Sequence, residues 1–359
     1  MRRVCVVLGL VCFLCSGSFA IDFRGEGNWA DPNMWSDGRL PTGAEEVKVR
    51  GEETICTLNT STGEWGVGQR MRVYEGATML IEEGAELLGA GWMRVGASNP
   101  GYLVQTGGLV QLQNGNDSAT LGIGDSGNSD GHYTISGGTI TYTGEGGSLI
   151  VGARGGQGIL TIVGTGPTIL MNTLTVGDRA GAAGTVEFKI DVNGVSPIGL
   201  ISSASVDPLE DETTAALLVS AINAPPMSEI ILVDIPDGAD AANEFDTVNG
   251  EPAVEGASVF MSADGVGYYY NLTYAGGTGN DIALLFDHSI DLIPVSLGAV
   301  GDITIDNGPR WGQDSSSNGS GLEARDIPDR RHVFLISYDI SEIKSRGPIS
   351  NMSFSHFSN

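Results

Sequence analysis

The chain repeats one four-residue phrase five times, as Trp65-Gly66-Val67-Gly68, Met93-Arg94-Val95-Gly96, Leu121-Gly122-Ile123-Gly124, Leu149-Ile150-Val151-Gly152 and Leu174-Thr175-Val176-Gly177. The closing glycines are 28, 28, 28 and then 25 residues apart. A fixed period in this range is typical of solenoids, whereas a β-propeller blade takes about 40–50 residues. The phrase therefore predicts a stack of coils of about 28 residues each.

Each phrase also predicts which side chains face the core. Residues two apart in a strand point the same way, and the first and third residues of all five phrases are apolar. The second residue is mixed in character, as expected of an outer surface. The closing glycine permits a positive φ where the chain turns a corner.

Two further strand patterns occur in each coil. Tyr102–Gly108 and His132–Gly138 are followed by Leu109–Leu112 and Thr139–Tyr142, and Ile159–Gly164 and Thr185–Ile190 repeat the first of these patterns. Three short strands per coil predict an all-β protein, a single-stranded right-handed parallel β-helix. A β-rich cap and a short C-terminal β segment are expected after it.

The same patterns divide the chain into five segments. They are a signal peptide at 1–20, an N-terminal cap at 21–50, β-helix repeats at 51–200, a β-rich cap of the solenoid at 201–287, and a small or partial jelly-roll-like β module at 288–359. Arg2 and Arg3 followed by an apolar run and Ser18-Phe19-Ala20 predict cleavage after Ala20 and hence export. No later stretch is long and apolar enough to predict a membrane helix.

Two local patterns have more than one interpretation. Trp29 and Trp35 flank an Asp-Pro turn and favour a cap over the first coil, the alternative being a platform on which sugars stack. Farther along, Ala216–Val219 and Ile230–Val233 predict a pair of buried strands, with one helical turn at Pro208. Cys56, the lone cysteine after the signal peptide, is expected to be a buried structural thiol.

The charge of the chain restricts its partners. Removing Arg2 and Arg3 with the signal peptide takes the formal net charge from −26 to −28. So acidic a chain is not expected to bind nucleic acid or an anionic membrane surface.

The repeated phrase, the turn Gly194–Ile198 and the closing sequence Tyr274–Leu284 resemble one family. Its members are large exported proteins of environmental Gram-negative bacteria that carry autotransporter-associated β-strand repeats, often with a PEP-CTERM-type sorting tail. The resemblance covers about Trp29 to Leu285. It implies a β-helix passenger at the cell surface or outside the cell, and it brings no catalytic residues with it.

Candidate ligand contacts lie at the corners of the coils. Two residues after the closing glycines stand Arg70, Ser98, Ser126, Arg154 and Arg179. If the coils stack in register, Arg154 and Arg179 lie about one strand spacing, ~4.8 Å, apart. Asp178 and Asp125 add carboxylates nearby. Such a group could contact an anion or a glycan, could serve a polysaccharide lyase, or could be solvated charge.

One stretch matches a metal-binding repeat. Gly276–Leu284 fits the calcium-binding nonapeptide pattern, with Asp281 as the ligand that calcium would prefer. Calcium sites of this kind need consecutive copies, and the sequence has one, which favours a tight turn. No cofactor and no metal is therefore expected, with calcium at Asp281 as the alternative.

These observations favour a non-catalytic structural or adhesive protein, exported to the cell surface or the extracellular matrix. Its partners would be polysaccharides or cell-surface glycans. Two alternatives remain open: a polysaccharide lyase or glycoside hydrolase on the same fold, and a carbohydrate-binding module in the C-terminal part.

Overall fold

A computed structural model describes residues 20–42, 45–64, 70–113, 119–127, 129–144, 146–206, 212–239 and 241–292. In these ranges the chain is all-β, with a 3-10 turn at Pro32–Met34, and forms a parallel β-solenoid. The predicted signal peptide, except Ala20, the Trp65 phrase, the predicted turn at Pro208 and most of the C-terminal module lie outside the described residues.

Each complete coil contributes one strand to each of three walls. Wall 1 is a separate sheet and comprises β2 (Glu26–Asn28), β4 (Ile55–Leu58), β7 (Thr78–Ile81), β10 (Gly101–Gln105), β13 (Asp130–Ile135), β16 (Gln157–Val163), β18 (Ala183–Ile190), β20 (Thr214–Ala221) and β23 (Thr247–Val248). Every neighbouring pair in this series is parallel.

Walls 2 and 3 belong to the second sheet. Wall 2 comprises β5 (Ser61–Glu64), β8 (Glu86–Ala90), β11 (Leu109–Gln113), β14 (Gly138–Thr143), the first parts of β17 (Pro167–Val176) and β19 (Ile198–Val206), and β21 (Ile230–Asp234). Wall 3 comprises β1 (Ala20–Phe23), β3 (Glu46–Arg50), β6 (Arg70–Tyr74), β9 (Trp92–Val95), β12 (Thr120–Asp125), β15 (Ser148–Ala153), the second parts of β17 and β19, and β22 (Ala241–Ala242).

The remaining strands are β24 (Glu251–Pro252), β25 (Ser258–Ala263), β26 (Val266–Gly276) and β27 (Asp281–Asp291). Here the pairing becomes antiparallel. Residues Ile230–Val233 of β21 pair with Ile282–Leu284 of β27, and β23 forms a hairpin with β24. Parallel pairing thus runs from β1 to β23, outside the 51–200 range assigned to the repeats, and antiparallel strands follow it.

The apolar residues of the repeated phrase form the core of wall 3. Met93, Leu121, Leu149 and Leu174 are register partners in successive coils, and all are fully buried. Val95, Ile123, Val151 and Val176 form a second buried column beside them. The prediction that these eight residues point inward is confirmed. In wall 1 the corresponding column includes Cys56, which is buried as expected, and burial raises the pKa of its thiol.

The first copy of the phrase was assigned to the wrong position. The register partners of Met93 and Val95 in the preceding coil are Met71 and Val73, whereas the repeated phrase predicts Trp65 and Val67 at these positions. That coil is only 22 residues long, counted from Met71 to Met93. Its corner lacks the closing glycine and turns instead through Glu75 and Gly76, with φ of 58° and 81°.

The predicted pairing of two later strands is also wrong. Ala216–Val219 lies in β20 and Ile230–Val233 in β21, and both segments are strands with buried residues. However, β20 pairs with β18 and β23 in wall 1, whereas β21 pairs with β19 and β27. In a solenoid, strands close in sequence belong to different walls, so each pairs with the coil above or below it.

The two tryptophans of the N-terminal segment are buried in the first coil. Trp29 and Trp35 are 2% and 3% exposed, and their rings meet edge to face at 4.7 Å. Phe23 contacts Trp35 at 5.1 Å, and the Trp35 indole N–H donates to the backbone oxygen of Trp29. Rings buried in this way are not available to stack on sugars, so the capping interpretation is supported and the platform is ruled out.

Glycines at the corners permit the coils to approach one another. Gly96, Gly124, Gly152 and Gly177 all have φ between 71° and 73°, as predicted for the closing glycine. A Cβ on Gly124 would lie 1.9 Å from the backbone oxygen of Gln157. A second glycine column, not foreseen from the sequence, runs through Gly101, Gly131, Gly158 and Gly184. A Cβ on any of these four would lie 2.1–2.3 Å from a backbone oxygen of the preceding coil.

Replacing Gly158 should therefore separate two coils. A Cβ there would lie 2.2 Å from the Ile123 backbone oxygen, and a backbone contact cannot move aside as a side chain can. We expect Gly158→Ala to lower the free energy of unfolding by about 3 kcal/mol, the upper part of the range for an overpacked interior. Urea denaturation followed by circular dichroism measures this change.

Gly127→Ala is the matched control, because Gly127 is exposed and nothing lies within 4 Å of the position of its Cβ. Its unfolding free energy should stay within about 0.5 kcal/mol of the parent protein. Equal stability of the two variants would contradict the steric role of the second glycine column.

Candidate functional site

The structure brings together the three residues predicted as ligand contacts. Arg154 follows β15 and Arg179 follows β17, and the register pair Val151–Val176 places them at the same corner of successive coils. The Arg154 backbone N–H donates to Asp178 Oδ1. Arg179 Nε lies 3.8 Å from Asp178 Oδ2. Asp178 thus joins the two corners.

The side chain of Arg154 reaches back across two coils. Its guanidinium carbon lies 4.0 Å from the centroid of the Trp92 ring, and its Nε lies 3.4 Å from Asp125 Oδ1. Arg94 makes the same two contacts, with its guanidinium carbon 3.7 Å from the Trp92 centroid and its Nε 2.6 Å from Asp125 Oδ2. One indole and one carboxylate are therefore shared by two arginines.

Both arginines stack on the Trp92 ring. Their guanidinium carbons lie over the ring at 3.7 and 4.0 Å from its centroid, the arrangement that the quadrupole of the ring favours. We call Trp92, Arg94, Asp125 and Arg154 the arginine–tryptophan clamp.

The sequence provides space for the clamp by placing a glycine in the next coil. Trp92 and Arg94 occupy outer positions of β9, because Met93 and Val95 point inward. The register partner of Arg94 in β12 is Gly122. A Cβ at Gly122 would lie 3.5 Å from the Asp125 Cβ and 3.7 Å from Trp92 Nε1, so a longer side chain would meet the clamp.

Arg154 is held in a backbone conformation that few residues of its type adopt. Its φ is 53°, in the left-handed region, which costs on the order of 1–2 kcal/mol for a residue with a side chain. The hydrogen bond from its N–H to Asp178, the Trp92 contact and the Asp125 contact all act on this one residue. A strained corner that is fixed at several points keeps the guanidinium in a defined position.

The centre of the clamp is an ion pair removed from water. The Asp125 side chain is 0% exposed and that of Arg94 is 10% exposed. Burial lowers the pKa of Arg94; the Asp125 carboxylate opposes this shift, and the positive charges of Arg154, Arg72 and Arg70 add to it.

Two more arginines extend the clamp along wall 3. In β6, Arg70 is the register partner of Trp92 and Arg72 that of Arg94. The guanidinium carbon of Arg70 lies 5.8 Å from the Trp92 centroid, and Arg72 Nε lies 2.6 Å from Glu46 Oε1. We call Arg70, Arg72, Arg94, Arg154 and Arg179 the arginine face.

The arginine face gathers positive charge on an acidic chain. Residues 20–292 contain ten lysines and arginines, and five of them belong to this face. Carboxylates of Glu46, Asp125 and Asp178 contact Arg72, Arg94, Arg154 and Arg179. The formal net charge of the whole chain is −26, so this concentration of arginines is unusual on its surface.

Asp281 stabilises a turn through hydrogen bonds to its carboxylate. Its Oδ1 accepts a hydrogen bond from the Ile235 N–H at 2.7 Å, and its Oδ2 accepts one from the Thr278 N–H at 3.2 Å. The residue is 3% exposed. Both oxygens are therefore engaged by backbone donors, which supports the tight turn over the calcium site. In the described ranges no group of three or more His, Cys, Asp or Glu is placed to hold a metal.

Arg154, Asp178 and Arg179 were predicted from the sequence as candidate contacts, with Asp125 as a nearby carboxylate, whereas Trp92 and Arg94 were not predicted. The signal that could have found them is a tryptophan and an arginine two residues apart in the outward phase of one strand. A glycine follows at the equivalent position of the next coil, Gly122. The closing part of the chain gave no comparable signal.

Comparison of the chain with protein-family models, with curated proteins and with solved structures finds no match. The structure supports the β-solenoid that the resemblance to autotransporter-associated repeats implies. Within the described part of the chain, no helix has the length and apolar character needed to span a membrane.

The buried ion pair predicts an asymmetric effect of substitution. Asp125→Ala leaves the Arg94 charge buried without its partner, and we expect it to cost about 3 kcal/mol or more of unfolding free energy. Adding Arg94→Met removes that charge and should recover part of the loss. The control is Asp130→Ala, whose side chain is 45% exposed in the parent protein and whose loss should cost little. Urea unfolding of the parent protein and the three variants tests this order of stability. A double variant less stable than Asp125→Ala would contradict the prediction.

Asp178 predicts a dependence on pH. Burial raises its pKa in the folded protein, so the charged form costs stability at neutral pH and that cost disappears as the pH falls through the folded-state pKa. Asp178→Asn keeps an oxygen for the Arg154 N–H and removes the charge. We expect its unfolding free energy at pH 7 to equal or exceed that of the parent protein, and Asp178→Ala to be less stable. Thermal unfolding of the parent protein and both variants between pH 4 and 7 tests this prediction. Equal losses of stability for both variants at pH 7 would contradict the role given to the Asp178 charge.

Proposed function

We propose that this chain is an exported, non-catalytic structural or adhesive solenoid of the cell surface or extracellular matrix, and that it contacts glycans through the arginine face. The resemblance noted in the sequence and the signal peptide pattern support export. The stacked coils support a structural role, because the repeated residues are accounted for by core packing and corner geometry.

The arginine face is the observation that carries the proposal. Guanidinium groups bind carboxylates and sulfates by paired N–H donors, and their usefulness in recognition increases when they are held rigidly. Here the clamp holds Arg94 on strand β9 and Arg154 at the corner after β15, and Arg179 remains 65% exposed. A side chain fixed by packing and by neighbouring contacts is more precisely positioned than one left without such support.

The same geometry favours binding over catalysis at this corner. A lyase of the kind considered from the sequence needs a basic side chain beside carboxylates that are free to hold calcium. Asp125 is ion-paired to Arg94 and Arg154, and Asp178 accepts the Arg154 N–H. The carboxylates at the corner therefore have partners within the protein.

An array of neutral and acidic glycans tests the binding part of the proposal. We expect the mature chain, beginning at Ile21, to bind a subset of glycans and to lose most of that binding when Arg154 and Arg179 are both changed to Gln. The control is the variant Arg24→Gln with Lys189→Gln, which removes the same charge from positions outside the arginine face. Failure to bind any glycan would contradict the proposal.

An absorbance assay with calcium tests the non-catalytic part. Pectin, alginate and sulfated polysaccharides are incubated with the protein, and unsaturated products are followed in the ultraviolet. We expect no increase above a heat-inactivated control. Product formation that Arg154→Gln abolishes would replace the structural role with a lyase.

A further inference from the structure

The last coil of the solenoid and the segment that packs on it are both acidic. After Lys189 and up to residue 292 the sequence contains no lysine or arginine. The last coil, residues 203–240 with β20 and β21, contains eight aspartates and glutamates. Residues 241–288, which we call the closing cap, contain seven more. Packing the closing cap on the last coil therefore brings together two segments of the same charge.

Carboxylates make hydrogen bonds that join the closing cap to the last coil, a contact that we call the seam. Each accepts a bond from a backbone N–H on the opposite side of the seam: Asp246 from Ala215 at 2.7 Å, Asp281 from Ile235 at 2.7 Å, and Glu229 from Gly277 at 2.8 Å. A backbone amide satisfies the hydrogen bonding of a carboxylate but has no formal charge. The three negative charges are thus held at the seam by partners that do not neutralise them.

Asp234 places a fourth carboxylate at the seam. It is an exposed residue at the end of β21, the strand that pairs with β27 of the closing cap. Partial burial raises the pKa of its carboxyl, and the negative charge of Asp281 adds to that rise. Asp234 lies in the last coil and Asp281 in the closing cap, so like charges interact across the seam.

Apolar burial holds the closing cap in place against this repulsion. Phe245, Tyr270, Leu272, Ile282 and Leu284 are all buried. The hydrophobic contribution follows the apolar area removed from water, whereas salt screens the repulsion between charges near the surface. The Debye length falls from about 30 Å at 0.01 M to about 10 Å at 0.1 M. The balance at the seam therefore changes with ionic strength.

We infer that the closing cap is a salt-dependent closure, which opens from the last coil at low ionic strength and closes as cations screen the seam. Opening removes β23 from β20 and β27 from β21. Unpaired strand edges of this kind are templates for pairing with another chain. The closure thus determines whether the end of the solenoid is accessible to a further strand, and it does so independently of any glycan.

Hydrogen–deuterium exchange of the intact mature chain, read by mass spectrometry of its peptides, tests the inference. The chain is compared in about 20 mM and about 500 mM KCl, between which most of the repulsion is screened. We expect peptides of the closing cap to exchange about tenfold more slowly at the higher concentration, because local opening sets their exchange rate. Peptides from β9 to β17 serve as the internal control and should change by less than about twofold. Magnesium and calcium chloride at equal ionic strength should act alike.

Variants then locate the repulsion at the seam. Asp234→Asn removes one charge with little change of shape, so the closing cap should exchange more slowly than in the parent protein at low salt and equally at high salt. Asp234→Lys places a cation near Asp281 and should slow exchange at low salt further. Glu83→Gln removes the same charge from an exposed corner after β7, away from the seam, and should leave the closing cap unchanged.

The possible results have distinct meanings. The inference is overturned if salt leaves exchange of the closing cap unchanged, or slows the closing cap and the β9–β17 peptides equally. It is also overturned if Glu83→Gln acts as strongly as Asp234→Asn, or if the effect of Asp234→Asn persists at high salt, since that effect would then come from packing. Calcium acting far more strongly than magnesium at equal ionic strength would replace screening with a specific ion site.

Discussion

Close approach of backbones at the corner between wall 3 and wall 1 is the constraint on which the structure depends. At that corner the peptide of one coil lies where a Cβ of the next would be, at separations as short as 1.9 Å from the Gly124 position. Only glycine fits, and the closing glycines also take the positive φ that turns the chain. With the corners fixed in this way, the apolar residues one and three positions before each closing glycine face the core in the four coils that turn at Gly96, Gly124, Gly152 and Gly177. The register of the walls follows from the corners.

The same constraint leaves the outward positions free to vary, and this freedom permits a functional surface. Outward residues of wall 3 need only avoid their neighbours in adjacent coils. In one coil this freedom is used to place Trp92 and Arg94, and in the next it is used to place Gly122, so that the two larger side chains have room. Asp125 and Arg154 then reach this space from their corners. Residues from several coils form the site, and no single coil contains all of them.

Those features that depend on periodicity could be predicted from the sequence. The phrase predicted the coil, the inward residues and the corner glycines because the same apolar pair and closing glycine recur in successive coils. Prediction failed where a coil departs from the period: the Met71 coil is 22 residues long, so the Trp65 phrase at the expected spacing was taken for its equivalent. The clamp was missed for a different reason. Its contacts join Trp92 to Arg154 across 62 positions of sequence, and the approach depends on the stacking of the outer faces, which a pattern within one coil does not contain.

The span of the clamp bears on the mechanics of a repeat protein. In an ideal solenoid each coil contacts only its two neighbours, and unfolding can begin at an end and proceed coil by coil. The clamp connects a coil to the second coil beyond it, and Asp178 continues the connection to a third. Separating any two neighbouring coils in this region must therefore also disrupt contacts between coils that are not direct neighbours. The central part of the solenoid should consequently resist tension as one block, with the more weakly connected coils on either side yielding first.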